Sequence, residues 1–332
     1  MTTPQTAPAV FANLPARQPR IGLALGGGGA RGLAHILMLE AFDELGLRPH
    51  VVAGTSIGAI FGAAYASGYT AAQIRAHAEE VLKSRFDILR QFFSARQEPW
   101  GRMLNVLQLR SALMNPEALL DLVMPPRIAP DFAGLAIPLK VVAADFFTQG
   151  QVVIEHGPLM RAVAASMALP ALFQAVEIDE RALLDGGLVN PLPFDLIEGS
   201  ADITVAINVS GAGRLPDDRS PPRALEAIVS SLHILQRSIV EEKLKTRRPD
   251  ILIDIDVGRF HVMEFHRLDK VLEAAAPAKA ELKARLTRIL TAETIEALPV
   301  AVTPPGSAPP PQSPRRLPAS PHQGRLADRL RR

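Results

Sequence analysis

The chain of 332 residues has no cysteine, one tryptophan and two tyrosines. Without cysteine there is no disulfide framework, no thiol nucleophile and no cysteine-ligated metal site, a pattern that fits a reducing compartment. The first 20 residues hold four prolines and no apolar run long enough for a signal peptide, so a flexible N-terminal segment and a cytoplasmic protein are expected. A strongly basic body is missing too, although the pI is about 9.1. Residues 299–332 carry six arginines and one aspartate, and since the whole chain has a net charge of +2, residues 1–298 stand at −3. The basic character belongs to the tail, which argues against nucleic acid as a partner of the folded part. There is no internal repeat.

With 48% hydrophobic residues the chain can bury a large core, and the pattern reads as one α/β domain, 21–298, followed by a tail. Nine of the 34 residues from 299 to 332 are proline, and this Pro/Arg-rich composition predicts disorder.

The domain is organised around residues 21–68. Ile-Gly-Leu-Ala-Leu feeds Gly26-Gly27-Gly28-Gly29-Ala30-Arg31-Gly32, and a second apolar run feeds Gly54-Thr55-Ser56-Ile57-Gly58. Both read as strand-turn-helix units. A glycine turn entering a helix leaves backbone N–H groups free, and with the helix dipole they stabilise an anion or a developing oxyanion. In a G-x-S-x-G elbow the glycines relieve crowding at a sharp strand-to-helix bend, so the serine stands exposed at the carboxyl end of the sheet.

Gly27, Gly29 and Gly32 also satisfy a dinucleotide fingerprint, but that site needs an acidic residue at the end of the second strand. Here the strand ends Val52-Ala53-Gly54-Thr55, without a carboxylate. No Lys-Ser or Lys-Thr follows the glycines, so a Walker loop is excluded as well.

Along the rest of the chain, residues 34–45 show one apolar helical face closed by Gly46, with His35 off the stripe as a surface or supporting residue. The uncharged run 51–74 is long enough to raise a membrane span, but its four glycines divide it into strand, turn and short helix. Thr70 and Gln73 form a capping box for the next helix. Residues 84–130 form an apolar helical insert, aromatic-rich at Phe86, Phe92, Phe93 and Trp100, which reads either as a lid or as ordinary core helices. Asn115-Pro116-Glu117 starts a helix that ends before Pro125-Pro126. A hairpin follows at 139–154, a helix at 159–167 and a tight turn at Asp179-Glu180. Asp145 and Asp185 each follow a strand, where catalytic acids of open α/β sheets tend to sit. A strand at 203–209, a helix at 225–244, a last strand at 251–257 and two helices split at Pro277 complete the domain.

The glycine turn, the serine elbow and Asp185-Gly186-Gly187 resemble, in order, the three blocks of the patatin-like phospholipases, especially the short bacterial members. Ala165-Ser166-Met167-Ala168-Leu169-Pro170 and the continuation to Pro193 are similar as well. The resemblance implies a three-layer α/β/α sandwich, the patatin-like serine hydrolase fold, that hydrolyses lipid acyl esters without metal or organic cofactor. Carried over by position, Ser56 is the nucleophile, Asp185 the base, and the Gly27, Gly28 and Gly29 amides the oxyanion hole. Arg31 is placed either on a substrate phosphate or at the surface. The partner implied is a lipid or phospholipid, with peripheral contact at the inner membrane surface. Two other readings stay open: a Ser-His-Asp esterase using His233, His261 or His266 in the chain order of α/β-hydrolases, and a catalytically silent lipid-binding module.

Overall fold

The computed structural model describes residues 19–84, 113–211 and 224–296. The tail and the aromatic stretch containing Phe92 and Phe93 lie outside the described residues.

Eight strands form one mixed sheet: β1 Ile21–Leu25, β2 Val51–Thr55, β3 Leu139–Asp145, β4 Gln151–Ile154, β5 Val176–Ile178, β6 Arg181–Asp185, β7 Ile203–Asn208 and β8 Ile251–Asp254. Their order is β5-β6-β3-β2-β1-β7-β8, with β4 also paired to β3. Strands β3, β2, β1, β7 and β8 run parallel, whereas β4 and β6 run antiparallel to β3. The central strands β1 and β2 are buried along their whole length, which explains why they read as continuous apolar runs rather than alternating ones.

The helices are α1 His35–Glu44, α2 Ile57–Ala66, α3 Ala71–Ser84, α4 Pro116–Val123, α5 Leu159–Ser166, α6 Ala224–Thr246 and α7 Leu268–Glu296. They cover both faces of the sheet. Leu23, Leu25 and Val52 pack with α1, α2, α5 and α7 in one large cluster, while Ala24, Val51, Ala53 and Ala206 pack with Phe194, Ile197 and Val240 of α6 on the other face. Two apolar layers on opposite sides of one sheet make the three-layer sandwich.

Local signals explain most boundaries. Thr70 Oγ1 accepts from Gln73 N–H while Gln73 Oε1 accepts from Thr70 N–H, a reciprocal capping box at the start of α3. Asn115 caps α4 by accepting from the Glu117 and Ala118 amides, with Pro116 at the first helical position. Asp179 and Glu180 both adopt positive φ, as a two-residue hairpin turn requires. The uncharged run after residue 50 is β2, a turn and α2, and no described helix is long and apolar enough to cross a membrane.

Two expectations need correction. Residues 268–296 form one helix, not two split at Pro277. Pro277 lies on the solvent side, so the Glu273 carbonyl that loses its helical donor is on an exposed stretch of the helix. Meanwhile Val271, Leu272, Ala275, Ala278, Leu282 and Leu286 hold the other side in the core. The last strand is also shorter than expected. It ends at Asp254, because Val257 N–H turns back to the Ile255 carbonyl at 2.8 Å.

Candidate active site

The register of three strands brings two distant motifs together. Thr55 at the end of β2 lies opposite Val142 of β3, and the next residue of β3, Ala143, lies opposite Asp185 at the end of β6. Ser56 and Asp185 therefore stand at the same height, two strand spacings or about 9.5 Å apart in backbone terms, with a small alanine between them. Their side chains close that gap: Ser56 Oγ donates to Asp185 Oδ2 at 2.8 Å.

Ser56 is held in a strained backbone conformation, φ 54° and ψ −121°, between β2 and α2. Such a residue persists only where its surroundings over-determine it. A side chain at Gly58 would place its Cβ 2.1 Å from the Leu25 carbonyl oxygen, so only glycine lets α2 approach β1 closely enough to form the elbow. The Ser56 amide donates to Ser166 Oγ at 2.9 Å, which pins the turn from the end of α5. The sequence places Ser166 inside a recognisable block but gives it no role; its function is apparent only once α5 is seen to pack against α2 and β3.

Asp185 is buried, and burial pushes its carboxyl up from the ordinary value to about 6, against the opposing pull of the Gly187 amide and the Ser56 hydroxyl. Gly187 N–H donates to Asp185 Oδ1 at 2.7 Å. One oxygen is thus fixed by backbone and the other faces the serine.

The glycine turn supplies the opposite wall. Gly28 and Gly29 line the same cleft as Ser56 and Asp185. Gly29 has φ 57°, and a Cβ there would lie 2.4 Å from the Val262 carbonyl oxygen, so this position admits no side chain without rearrangement. Among the described residues, Gly26 N–H reaches the Ile207 carbonyl and Ala30 N–H the Val262 carbonyl, whereas no such loop bond engages the Gly28 or Gly29 amide. Gly27 differs from expectation: its N–H donates to the Pro191 carbonyl at 2.9 Å, which removes it from the set of free donors. Pro191 is itself held in place. Lys243 of α6 donates to Asn190 Oδ1 at 2.8 Å and to the Leu192 carbonyl at 2.9 Å, and it pairs with Asp195. Thr55 Oγ1 donates to the Asn190 carbonyl at 2.8 Å. The segment after Asp185-Gly186-Gly187 therefore braces both glycine turns from below.

Arg31 also differs from the substrate-binding expectation. Its guanidinium donates to the Phe260 carbonyl at 2.8 Å and the Ser210 carbonyl at 2.6 Å, with a longer contact to the Gly258 carbonyl at 3.4 Å. Five donors in a fixed fork suit such a cluster of carbonyls, and here they tie the glycine turn to the loops after β7 and β8.

Of the histidines, His35 is fully buried, and burial lowers its pKa to about 4. As a neutral ring it donates through Nε2 to the Gly26 carbonyl at 2.8 Å, supporting the turn from behind. His233 and Gln236 of α6 line the cleft that holds Ser56 and Asp185. Burial pulls His233 down to about 4, aided by Arg31 and His261, so it too is neutral. His261 and His266 are not among the residues lining this cleft. His233 had no motif around it; only the path of α6 over the cleft brings it there. Among the described residues, no three His, Asp or Glu side chains gather as a metal site.

Comparison with known proteins adds the family. The family model described as patatin-like phospholipase matches residues 23–197, more than half of the chain. An uncharacterised NTE family protein of Mycobacterium bovis is 36% identical over 217 residues, covering 65% of this chain and 56% of that protein. The mouse patatin-like phospholipase domain-containing protein 6 is 33% identical over 194 residues, covering 57% of this chain and 13% of that protein. The chain thus spans only about half the length of the bacterial relative. Among solved structures, VipD from Legionella pneumophila aligns with a TM-score of 0.45 at 15% identity, over 81% of this chain and 67% of that one.

Proposed function

We propose that this chain, which belongs to the patatin-like phospholipase family, hydrolyses carboxylic esters of lipids through a Ser56-Asp185 dyad. The observation that carries the reading is the 2.8 Å hydrogen bond from Ser56 Oγ to a buried carboxylate whose pKa is raised to about 6. A serine hydroxyl is a poor nucleophile, and an aspartate at its ordinary value near ~3.9 is a weak base at neutral pH. Desolvation strengthens this one by about two pH units while leaving it ionised at pH 7.

In the proposed cycle Ser56 Oγ attacks the ester carbonyl carbon as Asp185 takes the hydroxyl proton. The oxyanion receives hydrogen bonds from the Gly28 and Gly29 amides, where one donor is commonly worth about 3 kcal/mol. Collapse breaks the bond to the alcohol, whose oxygen leaves with the proton held by Asp185, and the acyl group stays on Ser56. Water then attacks the acyl-enzyme with Asp185 again as base, releasing the acid and restoring the hydroxyl.

The direct contact between serine and aspartate favours this dyad over a triad, in which an imidazole would stand between them. Peripheral lipid contact has support of its own. Phe146 and Phe147 are 59% and 73% exposed, and they follow Asp145 at the carboxyl end of β3, the sheet edge that also carries Ser56.

Labelling with a fluorophosphonate probe tests the proposal: the wild-type chain is expected to react at Ser56, with no reaction after Ser56→Ala. A folded wild-type chain that takes up no probe and cleaves no ester would instead be a silent lipid-binding module.

A further inference from the structure

Beside the dyad cleft lies a second cavity, walled by α2, α3 and α4. Ile57, Ile60, Leu119, Met167 and Phe265 line both spaces, so the cavity adjoins the cleft across these side chains. Beyond those shared residues its described lining is apolar except for His77. That ring is occupied, with Nε2 against the Val123 carbonyl at 3.0 Å, where it clasps α3 to the end of α4. The cleft is different in kind. Its lining includes His233 and Gln236 as well as the Ser56-Asp185 pair.

We infer that the cavity between α2, α3 and α4 holds the acyl chain of the substrate, its depth setting chain-length preference, while the alcohol half of the ester lies toward His233 and Gln236 of α6. The inference rests on the hydrolase reading above and adds an orientation to it. An ester bound at Ser56 must place two unlike halves on two unlike walls. A headgroup in the apolar cavity would lose its water without gaining partners, whereas an acyl chain gains there about fourfold in affinity for each methylene buried. Ala64, Ile74, Ala78 and Val81 line the cavity but not the cleft, so they meet the chain away from the reacting carbonyl. Ala78, the smallest residue that α3 contributes there, marks a position where added volume shortens the space.

The test uses the full chain. In the Ser56→Ala background, calorimetric titration with saturated fatty acids of four to twelve carbons is expected to show affinity climbing about fourfold per methylene until the cavity is filled. A flat series would overturn the inference without reference to catalysis. In the active enzyme, Ala78→Phe is expected to lower the ratio of kcat/KM for p-nitrophenyl laurate over butyrate by tenfold or more, and to weaken laurate binding in parallel when combined with Ser56→Ala. Ala78→Leu serves if the larger residue disturbs folding, with a smaller change in the same direction. Folded variants that hydrolyse both esters at the wild-type ratio would place the acyl chain elsewhere while leaving the dyad intact. Loss of all hydrolysis in the wild type, with the affinity series preserved, would instead remove the hydrolase reading.

Discussion

Asp145 and Asp185 close neighbouring strands of one sheet, and both side chains are almost fully covered, yet their chemistry diverges. Burial pushes Asp145 up, but amide donation from Phe147 and Thr148, together with Thr148 Oγ1 and the Arg181 cation, outweighs it and holds the carboxyl below its ordinary value. Its Oδ1 accepts both amides at 2.9 and 3.3 Å, the pattern of an aspartate shaping the turn that follows it. Asp185 receives one amide, on one oxygen, and keeps the other for Ser56. A strand-end carboxylate therefore keeps an oxygen for a neighbouring hydroxyl, or spends itself on its own turn, according to how many backbone donors its loop returns to it. Position on the sheet does not decide between them.

The largest effect that could break this contrast is in turnover. Ser56→Ala and Asp185→Asn are each expected to lower kcat/KM for p-nitrophenyl butyrate by at least ~100-fold, with circular dichroism unchanged, and Asp145→Asn to stay within about tenfold. Equal losses from the two aspartate variants would end the distinction. Next comes pH. In the proposed cycle Asp185 works in its ionised form, so kcat/KM is expected to rise about tenfold per unit up to roughly pH 6 and then level off, with Asp145→Asn leaving the midpoint in place. A profile midpoint near 4 would mean that Asp185 is not the titrating base. A smaller effect attends the histidines: His233, His261 and His266 replaced singly by alanine should each retain activity within about tenfold. One of them as inactive as Ser56→Ala would make the site a triad. The smallest change in chemistry is expected at Arg31, which resembles Asp145 in serving its neighbouring loops. Arg31→Ala should cost about 1–3 kcal/mol in urea unfolding through its orphaned carbonyl partners, while the ratio of phospholipid to neutral ester hydrolysis stays constant. A selective loss on phospholipid would return this residue to the substrate.

The parts legible in the sequence are those that local chemistry determines. The elbow around Ser56 is written in its glycines, the start of α3 in Thr70 and Gln73, and that of α4 in Asn115 and Pro116. Asp185 could be named by motif, but its pairing with Ser56 depends on the register through Ala143, which no local pattern encodes. The same limit explains Gly27 and Arg31. Both belong to the right loop, but their donors are claimed by Pro191 and by the carbonyls of Phe260 and Ser210, residues about 160 to 230 positions away. Pro277 misled in the opposite sense. A strong local breaker was overruled by apolar packing along the far side of its helix.

The burial that raises the Asp185 carboxyl also sets a thermodynamic condition on the fold. A carboxyl at about 6 in the native state and 3.8 as its reference value binds more protons folded than unfolded across that interval. Its contribution to stability is therefore complete below about pH 4, falls as pH rises toward 6, and is lower by about 3 kcal/mol at every higher pH. At neutral pH the fold holds a charge its interior disfavours. Asp185→Asn should consequently unfold at higher temperature than wild type at pH 7.5, with the advantage shrinking toward pH 4; a variant no more stable than wild type at either pH would show that the charge carries no such cost.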